Sequence, residues 1–104
     1  MTEAQFMQQI IDLSRLYGWR VAHFRPAMTR SGRWATPVQA DGAGFPDLCM
    51  VKRARLIFAE IKSDKGKLSP EQETWITELT NCMRCEVYIW KPENWEEIVE
   101  VLTR

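Results

Sequence analysis

The feature that most constrains this chain is a pair of short apolar runs set a turn apart, each carrying a charged group at a fixed strand position. Arg55-Leu56-Ile57-Phe58-Ala59-Glu60-Ile61-Lys62 alternates as a half-buried strand does. Side chains two apart share a face, so Ile57, Ala59 and Ile61 point one way while Glu60 and Lys62 point the other. Just upstream, Asp47-Leu48-Cys49-Met50-Val51 is a second run, and Lys52-Arg53-Ala54 has the length of a turn between antiparallel neighbours. That pairing brings Asp47 beside Glu60.

Two carboxylates with nearby backbone carbonyls are hard oxygen ligands suited to Mg²⁺ or Mn²⁺, ions that keep several waters and accept substrate phosphate as a further ligand. A lysine at the rim can stabilise charge developing on a phosphoryl group or orient the attacking water. Asp47, Glu60 and Lys62 therefore have the chemistry of phosphodiester hydrolysis. Taken singly, each has an ordinary explanation: Glu-x-Lys is a common solvated pair on a strand face, and Pro-Asp is a frequent turn dipeptide. The conjunction is what points to a site.

The other elements follow from periodicity and end signals. Phe6, Ile10, Leu13 and Tyr17, with Met7 and Ile11 beside them, predict a helix over 3–17, with Thr2 as N-cap and Gly18 as stop. Trp19 to Phe24 reads as a strand closed by Pro26. Residues 25–44 read as one long loop holding Arg25, Arg30, Arg33 and Trp34, and long loops in compact domains are often functional. Ser63 to Leu68 is a basic turn with Lys65 and Lys67. Ser69-Pro70-Glu71-Gln72 then opens a helix, with Ser at the N-cap, Pro at N1 and Gln at N3 as a capping box. Trp75, Ile76, Leu79 and Met83 give that helix its apolar face. Glu86 to Trp90 is a strand, and 93–102 a last helix with Trp95, Ile98, Val99 and Leu102 inward. The order α-β-β-β-α-β-α predicts a mixed α/β fold with helices covering the sheet.

At 104 residues the chain reads as one domain, 1–104. It has no apolar run of transmembrane length and no basic segment followed by a hydrophobic stretch at its start, so it reads as soluble and intracellular, with no membrane partner. Three cysteines make no disulfide framework, which fits a reducing compartment. Cys82 and Cys85 have CxxC spacing but no second ligand pair in sequence, and read as buried thiols at a helix end. The net charge is zero, yet it is unevenly divided: residues 1–67 hold eleven Lys/Arg against six Asp/Glu, and 68–104 hold three against eight. A basic surround for the site is compatible with nucleic acid, because phosphate-binding charge is concentrated on one surface. His23, the single histidine, is open to two readings: a phosphate or proton-transfer contact, or a satisfied structural side chain.

Gly44-Phe45-Pro46-Asp47-Leu48, Phe58-Ala59-Glu60-Ile61-Lys62 and Gly66-Lys67-Leu68-Ser69-Pro70-Glu71-Gln72, ending in Val87-Tyr88-Ile89-Trp90, resemble the VRR-NUC domain, a branch of the PD-(D/E)XK nuclease superfamily. The resemblance spans nearly the whole chain and is most specific over 44–72. It implies a restriction-endonuclease-like core, a mixed central sheet flanked by helices, and Mg²⁺- or Mn²⁺-dependent cleavage of DNA with no organic cofactor. Asp47 and Glu60 would then hold the metal with the Ile61 carbonyl, and Lys62 would be the catalytic lysine. Glu3 falls where many superfamily members carry an extra acidic residue, and Gln72 matches a family glutamine near the active centre. The dipole at a helix start explains Glu3 equally well, and the capping box explains Gln72. Small members of phage and bacterial type look like nucleases acting on Holliday junctions or flaps as homodimers or higher homo-oligomers. Arg25, Arg30, Arg33, Lys65 and Lys67 are the candidates for the DNA backbone, contacts that position without reading sequence. Two other readings remain: a non-cleaving DNA-structure-binding module, and a small phage protein-interaction domain that docks through its acidic C-terminal helix.

Overall fold

The computed structural model describes residues 1–24 and 38–104, Gly32, and the two short strands at 27–28 and 34–35. Helix α1 covers Glu3–Leu16. Thr2 caps it through a full capping box with Gln5, and Gly18, at φ +89°, takes the left-handed turn that ends it. Strand β1 is Arg20–His23, β4 is Leu48–Lys52 and β5 is Arg55–Ile61. Helix α2 is Pro70–Thr80, β6 is Glu86–Trp90, and a 3₁₀ turn at Pro92–Asn94 leads into α3, Trp95–Thr103. The long loop expected over 25–44 is interrupted by an antiparallel pair, β2 (Ala27–Met28) and β3 (Trp34–Ala35). Two-residue strands are too short to show in a periodicity reading.

The sheet order is β1-β4-β5-β6. The first three strands pair antiparallel, and β6 joins β5 in parallel after the α2 crossover. This is the α/β fold with a mixed four-stranded sheet flanked by helices that the element order predicts. The β4–β5 connection is tighter than expected: Lys52 pairs with Arg55, leaving Arg53 and Ala54 as the turn, with Arg53 at φ +55°.

One sheet face carries Leu48, Met50, Ile57, Ala59, Ile61 and Trp90, all fully buried, against Phe6 and Ile10 of α1 and Ile98 and Leu102 of α3. That is the core. Two inward assignments differ. Ser14, not Tyr17, continues the buried stripe of α1, and Val101 rather than Val99 reaches the core from α3. In each helix the buried line follows the 3.6-residue turn past a side chain that is merely apolar.

The opposite face carries Asp47, Cys49, Phe58, Glu60 and Lys62, and is covered less deeply by α2, which has no fully buried residue. Phe45 fills the gap with edge-to-face contacts to Phe24 (5.3 Å), Phe58 (5.8 Å) and Trp75 (4.9 Å). Met83, expected on the apolar face of α2, lies past the helix end and is 99% exposed. The thiols expected to be buried are not: Cys82 is exposed and Cys85 half-buried. Both follow from α2 stopping at Thr80, which leaves 81–85 as a surface turn.

Candidate active site

Leu48 pairs with Ala59, so the next rung outward sets Asp47 opposite Glu60. The chain does not continue as a strand there. Instead the Asp47 side chain substitutes for backbone: the Ile61 N–H donates to Oδ2 at 2.9 Å. The main chain of Asp47 is held as well, its carbonyl accepting from the Phe24 N–H at 3.0 Å. The carboxylate is thereby fixed at the sheet margin, beside the end of β5.

Glu60 is the one acidic side chain among the described residues in the buried class, at 1% exposure. Three groups surround its carboxyl. Gln72 donates from Nε2 to Oε2 at 3.0 Å, Lys62 Nζ lies 3.6 Å from the same oxygen, and Asp47 faces it across the strand pair. Oε1 is buried without a hydrogen-bond partner. Burial above all, and then the negative charge of Asp47, push the Glu60 carboxyl up to about 8, while Lys62 pulls the other way. With no cation bound, the group therefore holds a proton at neutral pH, and the Lys62 contact is a long one to a mostly neutral partner.

Gln72 has two tasks. Its Oε1 accepts from the Ser69 N–H at 2.9 Å, closing the predicted capping box, while Nε2 reaches Glu60. The same side chain starts α2 and orients the buried carboxyl. Gly44, at φ +82°, makes this placement possible, since a Cβ there would lie 2.5 Å from the Glu71 carbonyl carbon and 2.6 Å from the Gln72 nitrogen. Lys62 is fixed from two sides. Its N–H donates to the Trp90 carbonyl at 3.0 Å, and the turn at Gly66 packs on its aliphatic stem, where an added Cβ would sit 3.2 Å from Cδ.

Glu3 meets the chain two residues past the end of β5, its Oε2 accepting from the Ser63 N–H at 3.3 Å. Lys65 and Lys67 are exposed on the turn that follows. Arg25, Arg30 and Arg33 lie outside the described residues, as does the side chain of Trp34. His23 is exposed on β1. Sequence reasoning missed the role of Gly44 as a seat for α2 and the aromatic group around Phe45, although both belong to the Gly-Phe-Pro-Asp segment that it singled out.

The donor set fits a hard divalent cation. Asp47 and Glu60 present carboxylate oxygens at one margin of the sheet, and the buried, unpartnered Oε1 of Glu60 is an acceptor for which a cation would substitute.

A family model, the VRR-NUC domain, matches residues 24–92, which include Asp47, Glu60, Lys62 and Gln72 but not Glu3. The chain belongs to the VRR-NUC family. VRR-NUC domains are part of the PD-(D/E)XK nuclease superfamily, so this is a nuclease-type domain for which DNA is the implied substrate. No curated protein and no solved structure matches the chain. Among the described residues, no helix of this VRR-NUC domain is long and apolar enough to cross a membrane.

Proposed function

We propose that the chain is a metal-dependent endodeoxyribonuclease that hydrolyses DNA phosphodiester bonds and selects its substrate by structure, at junctions or flaps, rather than by sequence. The observation that carries this reading is the Glu60 carboxyl, buried with one oxygen unpartnered beside Asp47. Burying such a group is costly, and perturbed carboxyls of this kind concentrate at functional sites.

Asp47 and Glu60 would hold Mg²⁺ or Mn²⁺. The N–H and C=O of a strand residue point to the same side, so the Ile61 carbonyl faces the margin where Asp47 accepts its N–H, and can serve as a third ligand. When bound, the cation supplies Lewis-acid polarisation of the phosphate and a more acidic water. Lys62 Nζ supplies positive charge to the phosphoryl oxygens as charge builds on them. Gln72 keeps the Glu60 carboxyl turned toward Asp47 through its 3.0 Å hydrogen bond. Glu3 orders the backbone after Lys62, a positioning role. Lys65 and Lys67 hold the DNA backbone, and Arg25, Arg30 and Arg33 are assigned the same task from sequence. With one site per chain, cutting two strands at a branch calls for two subunits, and a symmetric homodimer supplies two sites at fixed separation.

The test is incubation of the protein with labelled four-way junction, flap and linear duplex in Mg²⁺, Mn²⁺ and EDTA, alongside Asp47→Ala and Lys62→Ala. Cleavage of branched DNA in either metal, absent in EDTA and lost in both variants, is the expected result. Cleavage that survives Asp47→Ala, or no cleavage of any substrate, would sink the reading, and tight binding without cleavage would favour a structure-binding module.

A further inference from the structure

Beside Asp47 lies a cavity of about 290 Å³ whose lining includes neither Glu60 nor Lys62. Its walls are Phe24, Val38 and Phe45, the small residues of 40–44, and Asp47 itself. The loop that forms it is built rather than slack: Gly42 N–H donates to the Gln39 carbonyl at 3.1 Å, Phe45 N–H to the Gly42 carbonyl at 3.0 Å, and Trp75 Nε1 ties down the Asp41 carbonyl at 3.0 Å. Ala40 and Gly44 hold left-handed backbone on either side of it. Phe24 and Phe45 are half-buried, and both line the cavity.

Among the described residues lining it, Asp47 is the one acidic or basic side chain. None of the described lining residues offers a positive charge to a phosphate. Aromatic and small apolar walls with loop backbone suit a flat, neutral heterocycle and its sugar. The volume is at the low end of small-molecule pockets, which run to about 300–1,000 Å³, and so suits one nucleoside rather than a stacked base pair. Asp47 is both a wall of the cavity and a proposed ligand at the cleavage centre, so an occupant belongs to a nucleotide adjoining the scissile phosphate. A base in duplex must first be unstacked and unpaired to enter, which is least costly when it is already single-stranded.

We infer that this cavity binds an unpaired nucleoside flanking the scissile phosphate, which rests on the nuclease reading and gives it a physical basis for selecting branch points over duplex. The experiment has two arms. In the first, flap DNA carrying 2-aminopurine at each nucleotide around the branch is titrated with protein in EDTA, where no cutting occurs. One position should brighten as its base leaves the stack, and Phe24→Ala should remove that signal while Phe24→Tyr, which keeps the ring, retains it. In the second, kcat/KM is measured for wild type and Phe24→Ala on the intact flap and on one abasic at that position. Loss of the base, or of the ring, should each slow cleavage roughly 5- to 150-fold, the worth of one base–aromatic contact. Removing both should cost no more than either alone, because the contact can be lost once. General damage to the site would instead lower both substrates equally in the variant. Unchanged 2-aminopurine signals at every position, or additive losses, would overturn the proposal while leaving the nuclease reading intact. Failure of all cleavage would end the nuclease reading, and the fluorescence arm would still decide the cavity.

Discussion

Replacing Glu60 by Gln should make the metal-free protein more stable at alkaline pH and remove most of its pH dependence. The folded state holds the Glu60 proton up to about 8, against an ordinary value of 4.5. Between those two values the folded protein binds more protons than the unfolded chain, so stability from this group is complete below about pH 4.5 and is lost as pH rises through about 8. Over about pH 5 to about pH 8 the linkage relation gives a loss on the order of a few kcal/mol. For a chain of 104 residues this is a fall in Tm on the order of 10 °C or more. The amide introduced by Glu60→Gln keeps an acceptor for Gln72 Nε2 and turns a donor toward Asp47, so the variant loses the titration without losing the packing. The assay is thermal unfolding in EDTA across that pH range, for wild type and Glu60→Gln. A wild-type Tm that is flat with pH, or a variant with the same slope, would refute the assignment of a buried, neutral carboxyl. Adding Mn²⁺ to wild type at about pH 8 should recover stability, about 2.7 kcal/mol at a hundredfold excess over Kd, and should do little for the variant.

Gln72→Glu keeps a capping-box acceptor but sets a carboxylate oxygen against Glu60; the pH profile of cleavage should move to higher pH, and an unmoved profile would show that Gln72 does not act through Glu60. Gly44→Ala puts a Cβ 2.5 Å from α2 backbone at positive φ. It should cost about 1–3 kcal/mol in denaturant unfolding and lower activity by displacing Gln72. Arg55→Ala breaks a two-pronged ion pair to Glu86 (2.8 Å each) and hydrogen bonds to the Val101 and Arg104 carbonyls. It should lower stability by about 2 kcal/mol and leave cleavage rates at permissive temperature unchanged.

What could be read in advance was whatever a local rule determines. The alternation of 55–62 determined which face Glu60 and Lys62 share, and a short turn expected at 52–54 brought Asp47 near Glu60; the tighter turn that forms, 53–54, sets the two directly opposite. Ser69-Pro70-x-Gln72 marked the start of α2 to the residue. What could not be read depends on separation in sequence. Nothing near Gly44 says that the α2 backbone, far along the chain, will press against it. Nor does Gln72 as a capping residue announce that its second polar atom reaches Glu60. The depth of burial at Glu60 depends on Phe45 and α2 closing over one face of the sheet, a tertiary outcome that a two-residue period cannot encode.

Two glutamates on adjacent strands of this sheet show how the fold separates support from chemistry. Glu86, at the start of β6, accepts two hydrogen bonds from Arg55 and one from the Tyr88 hydroxyl at 2.7 Å, and these hold its carboxyl below the usual range. Its stabilising contribution is present above about pH 4.5 and lost as pH falls below it. Arg55 in turn lies over the Trp19 ring at 4.9 Å, and Trp19 Nε1 donates to the Leu102 carbonyl, so the cluster ties the C-terminal helix to the sheet. Glu60, on β5, is shifted the opposite way, with one oxygen unsatisfied and a second acid across from it. A carboxyl surrounded by matched donors is stable as an anion and has little to offer a cation. A carboxyl that is buried, short of donors and paired with another acid is unstable as an anion until a cation arrives, and this contrast on one sheet is what favours the proposal of metal binding at Glu60 over the stronger-looking ion pair.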